Sequence, residues 1–196
     1  MTKKDIAEEI RKAVEVLRKG GIILYPTDTI WGLGCDASNA DAVAKIYEIK
    51  QRPDSKSLVL LASDMDMIAR NVQAIPNIAI DLVEVNDKPM TIIYPDALCD
   101  GYHLAPNVAA EDGSVGIRIP LTESCKDLVH RFGRPIVSTS ANISGEPAPQ
   151  TYEDIPEEII NAVDLVMAPA LEKESTGIPS QIFKLGMDGT IKIIRP

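Results

Sequence analysis

The chain has 196 residues, of which 45% are apolar and 25% charged, and 20 basic against 29 acidic side chains give it a formal net charge of −9. This composition excludes a mainly disordered chain, and no apolar run approaches the about 20 residues of a membrane-spanning helix. The acidic balance argues against non-specific wrapping of nucleic acid, because phosphate contacts need a basic surface.

Helical and strand patterns alternate along the chain, which predicts one α/β unit. Helices are expected at residues 5–19, from residue 40 to before Pro53 with Asn39 as the N-cap, in a few turns capped by Ser63, near residues 78–85, and at residues 122–132. Gly20 and Gly133 are expected to end the first and the last of these helices. A short buried strand is expected at residues 22–25, and further strands at residues 58–61, 90–94, 115–119, 136–138, 165–167, 182–185 and 191–194.

Three long loops remain, at residues 26–35, 95–114 and 139–180, the last interrupted by the strand at 165–167. They are rich in Gly, Pro, Ser, Thr and Asn, and long loops in a compact domain are more often functional than structural. The common sequence signatures of P-loop, dinucleotide-binding, α/β-hydrolase and zincin proteins are absent. The chemistry is therefore expected from polar side chains in these loops.

Three cations cluster around a helix end: Lys50, Arg52 and Lys56, with Pro53 forcing the chain out of the helix between them. This spacing can direct all three into one concavity, where an arginine fork and lysine point charges would bind carboxylate or phosphate. The alternative is that they only complement the dipole at the helix C-terminus.

A second candidate is the segment of residues 138–145, STSANISG, which directly follows a predicted strand. Its hydroxyls, amide and backbone N–H groups form a donor array suited to oxyanions, although a set of Ser/Thr and Asx turns explains the same residues. Trp31 either forms a wall of a ligand pocket or belongs to the core. Arg118 alternates with apolar neighbours in a strand, so it needs an anionic partner, either a protein carboxylate or a ligand.

The histidines and cysteines offer little chemistry. His103 and His130 are not expected to be catalytic, and two histidines exclude a site built on three or more. Cys35, Cys99 and Cys125 are scattered without a CxxC pair, which predicts reduced thiols in a cytoplasmic protein. The first residues also lack the apolar segment of a secretory signal.

Five segments, in their order and spacing, carry a resemblance to one family: PTDTIWGLG, KQRPDSK, SVGIRIP, STSANISGEPAP and IPSQIF. Together they resemble the YrdC/TsaC-like threonylcarbamoyl-AMP synthases over essentially the whole chain. The resemblance implies an α/β fold with a twisted mixed open sheet flanked by helices and a basic central cavity, in a single YrdC-like domain of residues 1–196. It implies the short, single-domain form, because the further C-terminal domain of longer members is not in the sequence.

The activity implied by the resemblance is that of a nucleotidyltransferase in tRNA processing. L-threonine, bicarbonate (or CO2) and ATP would give threonylcarbamoyl-AMP and pyrophosphate, for the t6A modification at position 37 of tRNA. A downstream threonylcarbamoyl-transferase complex and tRNA are then expected as weak or transient partners, with no membrane. The alternative is a non-catalytic RNA-binding or maturation factor of the same fold, which the net charge disfavours.

The resemblance also implies roles for individual residues. Lys50 and Arg52 are expected to be catalytic, so that replacing either by alanine should abolish pyrophosphate release with little change in thermal stability. The expected threonine-binding residues are Thr29, Arg52 and Arg118. The expected nucleotide-binding residues are Lys56, Ser114, Ser138, Ser140, Asn142, Ser180 and Arg195. No protein metal site is expected, and Mg²⁺ would be held through the ATP phosphates.

Two positions depart from the family pattern. Trp31 stands where tyrosine or phenylalanine is usual, which keeps an aromatic wall. Gln181 follows Ser180 where threonine is common, so the assignment of that loop rests on fewer matching residues.

Overall fold

The structure, a computed structural model, describes residues 1–51 and 58–196 and is a mixed α/β fold with two open sheets flanked by helices. The helices are α1 (Lys3–Arg18), α2 (Ala40–Ile49), α3 (Met65–Ala69), α4 (Asn77–Val85), α5 (Glu123–Phe132) and α6 (Glu157–Asn161). The strands are β1 (Ile23–Pro26), β2 (Trp31–Gly34), β3 (Val59–Leu61), β4 (Met90–Tyr94), β5 (Val115–Arg118), β6 (Ile136–Val137), β7 (Thr139–Ser140), β8 (Leu165–Val166), β9 (Gln181–Leu185) and β10 (Ile191–Arg195). The predicted fold class is confirmed.

The longer helices follow from local sequence signals. Thr2 and Asp5 form a capping box at the start of α1, whose buried face carries Ile10, Ala13, Val14 and Leu17. Asn39 caps α2 as predicted, and Gly133, with a φ of 83°, ends α5 in the left-handed conformation that glycine favours. One cap prediction is wrong: Asp64, not Ser63, accepts the backbone N–H that begins α3.

The strands divide between a four-stranded sheet in the order β7-β2-β1-β8 and a six-stranded sheet in the order β10-β9-β4-β5-β3-β6. Strands β4 and β5 are antiparallel, while β3 and β5, and β4 and β9, are parallel, so the larger sheet is mixed. The two sheets are connected where β6 in the larger sheet is followed, after Ser138, by β7 in the smaller one. This short crossover brings the two sheets together along residues 136–140.

Two strands lie in segments predicted to be loops. The segment 26–35 contains β2, which pairs antiparallel with β1, and the segment 139–180 begins with β7, which pairs with β2. Gly34 of β2 is required by packing rather than by a turn, because a Cβ there would lie 2.7 Å from the ring of Tyr25. Between β1 and β2, the predicted loop is reduced to the four residues 27–30.

One apolar core connects the helices and both sheets. It contains the faces of α1 and α5 that pack on each other, Tyr25 and Leu33 of the smaller sheet, and Leu60 and Ile117 of the larger sheet. Within residues 1–51 and 58–196, no helix is long and apolar enough to cross a membrane.

Candidate active site

A cavity of about 460 Å³ is lined by residues of both sheets and of the loops that follow β1 and β7. Its described walls carry the ionisable side chains of Arg118, Arg195 and Glu146. Hydroxyls and one amide supply the other polar lining groups: Thr27, Thr29, Thr91, Ser138, Thr139, Ser140, Asn142 and Ser180. Such a set of donors around two guanidinium groups is suited to anionic ligands.

Arg118 is held in the wall by the loop between β1 and β2. Its Nη1 donates to Oδ1 of Asp28 at 2.5 Å, and its Nη2 donates to the hydroxyls of Thr27 at 3.2 Å and Thr29 at 3.1 Å. Arg118 is 4% exposed and Asp28 is 2% exposed, so this is a buried ion pair. The anionic partner that the sequence required for Arg118 is therefore a protein carboxylate.

Lys50 lies behind the opposite wall, at the C-terminal end of α2. Its Nζ donates to the backbone oxygens of Ser140 at 2.5 Å and Asn142 at 2.7 Å, and to Oδ1 of Asn142 at 3.2 Å. The amide nitrogen of Asn142 donates in turn to the backbone oxygen of Glu146 at 2.6 Å. These bonds fix the course of residues 140–146, so Lys50 orients two cavity-lining residues from behind.

Arg195 reaches the wall from β10, the edge strand of the larger sheet. Arg195 donates from Nε to the backbone oxygen of Ser180 at 2.7 Å and from Nη2 to its hydroxyl at 3.3 Å. The same hydroxyl lies 2.8 Å from that of Thr91, which is fully buried. Burial, and then the charge of Arg118, lower the pKa of Arg195 below its ordinary value. An anion placed between the two arginines would relieve their repulsion.

Trp31 forms an aromatic part of the wall and is fully buried. Its indole N–H donates to Oε2 of Glu172 at 2.6 Å, and the same oxygen accepts the backbone N–H of Tyr152 at 2.9 Å. The rings of Trp31 and Tyr152 are 5.4 Å apart and tilted by 51°. Glu172 thereby joins three chain segments around the indole.

The structure brings most of the predicted site residues together, because Thr29, Arg118, Ser138, Ser140, Asn142, Ser180 and Arg195 all line this cavity. Lys50 supports the wall from behind. Ser114 is not among the described lining residues, and its hydroxyl donates to Asp112 at 2.6 Å. The predictions for Arg52 and Lys56 concern positions outside the described residues.

Three residues of this site have no role in the sequence predictions. Thr91 is a polar residue in an apolar strand, a pattern that could have marked it as facing a polar cavity. Asp28 belongs to the same Gly- and Thr-rich segment as Thr29, but its pairing with Arg118 depends on two strands meeting in space. Glu146, an acidic side chain on the cavity wall, carries no distinguishing local signal.

The cysteines are not among the described residues that line the cavity. Cys35 and Cys125 are buried, and burial raises the pKa of the Cys125 thiol to about 12. Among the described residues, no group of three or more His, Cys, Asp or Glu side chains is arranged to hold a metal ion.

A comparison with known families matches residues 15–196 to the model of the Sua5, YciO and YrdC proteins, described as "Telomere recombination". The chain is 35% identical over 174 residues to the threonylcarbamoyl-AMP synthase of Hahella chejuensis, covering 88% of this chain and 91% of the relative. It is 33% identical over 161 residues to the synthase of the same name from Stenotrophomonas maltophilia, covering 79% of this chain and 83% of the relative.

Solved structures show the same fold. The structure of P. abyssi Sua5 complexed with L-threonine superposes with a TM-score of 0.80 at 27% identity and covers 90% of this chain. E. coli YciO superposes with a TM-score of 0.78 at 26% identity, covering 95% of this chain and 87% of that one. The match covers 50% of the Sua5 chain, so this chain spans about half the length of that relative.

Proposed function

The chain belongs to the Sua5/YciO/YrdC family, and from that membership we propose that it is an L-threonylcarbamoyladenylate synthase acting in tRNA t6A biosynthesis. The observation that carries the proposal is the cavity itself, whose described walls gather residues from seven segments of the chain around two arginines. The relatives named threonylcarbamoyl-AMP synthase and the L-threonine complex of P. abyssi Sua5 support the same activity.

The proposed reaction joins three substrates in two steps. The amine of L-threonine, after losing a proton, forms a carbamate either by attacking CO2 with release of a further proton or by attacking bicarbonate with loss of water. An oxygen of that carbamate then attacks the α-phosphorus of ATP, and the bond to the leaving pyrophosphate breaks. Both reactants of the second step are anions, so the site has to align them and offset their repulsion, and fixed cations and donors in a cavity supply that effect.

We propose that the amino acid and the nucleotide occupy opposite sides of the cavity. Thr29 of the β1–β2 loop and Arg118 of β5, joined by a hydrogen bond, form the threonine side. Arg195 and Ser180, bonded to each other, form part of the nucleotide side together with Ser138, Ser140 and Asn142. Lys56 and Ser114 remain predicted nucleotide-binding residues.

For the two residues predicted to be catalytic, we propose different roles. Lys50 donates to oxygens of Ser140 and Asn142, so its proposed role is to position these two residues toward the substrates. Arg52 keeps the predicted role of contacting the reacting anions and the threonine carboxylate, because its planar fork matches both.

Mg²⁺ is proposed as the ion that accompanies ATP. The described wall offers Glu146, hydroxyls and an amide, a set that fits an ion held mostly by phosphate oxygens and water rather than by a protein cage. Bound in this way, Mg²⁺ would neutralise part of the charge that develops on the phosphates.

The wider setting is proposed as follows. Bicarbonate, a downstream threonylcarbamoyl-transferase complex and tRNA are partners of a cytoplasmic enzyme. The two arginines against one glutamate in the described wall support a basic cavity. Because both sheets share one core and one cavity, we also propose that residues 1–196 form a single domain.

The test is pyrophosphate release from ATP and Mg²⁺, with threonine and bicarbonate omitted in turn. Release that requires both substrates is expected. Release with neither would identify a plain ATPase activity instead. Binding of ATP without any release, together with steeply salt-dependent binding of tRNA, would favour the RNA-binding alternative.

A further inference from the structure

Each carboxylate oxygen of Asp28 accepts from one donor behind the threonine side of the cavity. Its Oδ1 accepts from Nη1 of Arg118 at 2.5 Å, and its Oδ2 accepts from the backbone N–H of Leu121 at 3.1 Å. One buried carboxylate thus fixes both the guanidinium of Arg118 and the chain that leaves β5 after it. Asp28 itself is not among the described residues that line the cavity.

Arg118 and the loop backbone occupy most of the hydrogen-bonding capacity of the two neighbouring hydroxyls. The hydroxyl of Thr27 donates to the backbone oxygen of Ile30 at 2.9 Å, and its two lone pairs accept from the backbone N–H of Thr29 at 3.1 Å and from Nη2 of Arg118 at 3.2 Å. Thr29 Oγ1 also accepts from Arg118. One lone pair of Thr29 Oγ1 is left, on a residue that lines the cavity, and it can accept from an N–H group of a ligand.

The backbone of the same loop is held independently of the carboxylate. The backbone oxygen of Asp28 accepts from the N–H of Thr176 at 3.0 Å and from its hydroxyl at 3.1 Å. The backbone oxygen of Thr29 accepts from the N–H of Gly177 at 2.7 Å. The loop therefore keeps these anchors when the side chain of residue 28 changes, and the carboxylate is left with the task of orienting Arg118.

We propose that Asp28 is a positioning residue for the amino-acid substrate: it holds Arg118, whose hydrogen bond fixes the Thr29 hydroxyl with one lone pair left for the substrate's amino group. This inference rests on the proposed function, because it assumes that the ligand on this side is threonine. In this role Asp28 does not contact the substrate itself but acts through its two hydrogen-bond donors, Arg118 and the backbone of Leu121.

The test variant is Asp28→Asn, which keeps the shape but not the two acceptors. An asparagine amide has one oxygen, so either Arg118 or the Leu121 N–H then faces an NH2 group. The lost alignment is expected to raise the KM for threonine about tenfold, as is typical for a lost hydrogen bond to a charged group. The KM for ATP is expected to stay unchanged, which a general loss of structure would not produce.

The matched control is Asp36→Asn. Asp36 is also buried, accepts from the backbone N–H and hydroxyl of Ser38, and pairs with Arg134 at 3.3 Å, but it lies beyond the other end of β2. This variant is expected to leave the KM values for threonine and ATP unchanged, so that only the position of the lost carboxylate differs between the two proteins.

A double-mutant cycle tests the route through Arg118. In an Arg118→Met background, Asp28→Asn is expected to cause no further change in threonine affinity, measured directly by titration calorimetry. Equal effects of Asp28→Asn in both backgrounds would overturn the inference, as would unchanged or tighter threonine binding by the single variant. Failure of the proposed function is distinguishable, because the wild-type protein would then bind no threonine or release no pyrophosphate.

Discussion

Replacing Lys50 by methionine removes an ammonium group that is bonded to the cavity wall from behind. The substitution keeps an unbranched side chain of similar length, while the donors to Ser140 and Asn142 are lost. Reasoning from sequence expects a Lys50 variant that is inactive but as stable as the wild type. The structure changes that expectation, because Lys50 is 2% exposed and its ammonium group holds residues 140–146 in place.

The size of the effect follows from the acceptors that are left behind. The backbone oxygen of Ser140 keeps the N–H of Asn142 at 2.9 Å, so it remains bonded. The backbone and side-chain oxygens of Asn142 both lose the lysine donor, and each buried acceptor without a partner costs about 1–3 kcal/mol. We expect a loss of about 2–6 kcal/mol in the free energy of unfolding. For a chain of this size that lowers the Tm by about 4–24 °C.

The assay is urea unfolding combined with pyrophosphate release at a temperature where the variant remains folded. Release is expected to fall about a hundredfold, since a displacement of about 1 Å in Ser140 and Asn142 misaligns the substrates. Lys45→Met is the control, because Lys45 lies on the same helix with an exposed side chain. It should change neither quantity.

Two results would refute this reasoning about Lys50. An inactive variant with an unchanged unfolding midpoint would mean that the ammonium acts on substrate directly. A destabilised variant with full activity would mean that the bonds to residues 140 and 142 have no bearing on catalysis.

Two further predictions concern the wall and the pH dependence of stability. Trp31→Phe keeps an aromatic ring against Tyr152 but removes the N–H that donates to Glu172. Unfolding followed by circular dichroism should show a loss of about 1–3 kcal/mol in the free energy of unfolding. An unchanged midpoint would mean that this hydrogen bond adds nothing to stability. The Ser63 hydroxyl, followed by the backbone N–H of Met67, holds the pKa of Asp64 below its ordinary value of 3.8. The ionised carboxylate thus stabilises the fold above pH 3.8, and this contribution is lost as the pH falls through the lower pKa of the folded state. Asp64→Asn should therefore lower the urea midpoint at pH 7, and the midpoints of the variant and the wild type should converge in acid. A constant difference at all pH values would contradict that assignment.

Much of the secondary structure is predictable from sequence because its signals are local. The N-cap Asn39 and the stop Gly133 mark the ends of α2 and α5, as expected from capping chemistry. The prediction fails for β2, whose glycines have the composition of a loop. The requirement for glycine at position 34 depends on how closely the ring of Tyr25 in the paired strand β1 approaches it, which the composition of the segment does not reveal.

For the candidate site, the sequence predicts which residues belong to it better than it predicts which of them contact each other. Residues such as Arg118 and Asn142 belong to segments that resemble a known family, and both line the cavity. The partner of each buried charged group was not predictable, because a carboxylate or carbonyl anywhere in the chain could serve. Arg118 is paired with Asp28, which lies 90 residues away, and Lys50 with a carbonyl also 90 residues away.

The amino-acid sequence by itself determined the class of fold, the family and most of the polar residues in the described wall of the cavity, since periodicity, caps and motifs are properties of short segments. Only the tertiary structure decided that the strands form two sheets and which polar atoms lie on the cavity side. The physical reason is that burying a charged group is costly unless it is paired, so packing between distant strands selects its partner. That selection assigns Lys50 and Asp28 to support the wall and leaves Arg118, Arg195 and the hydroxyls to line it.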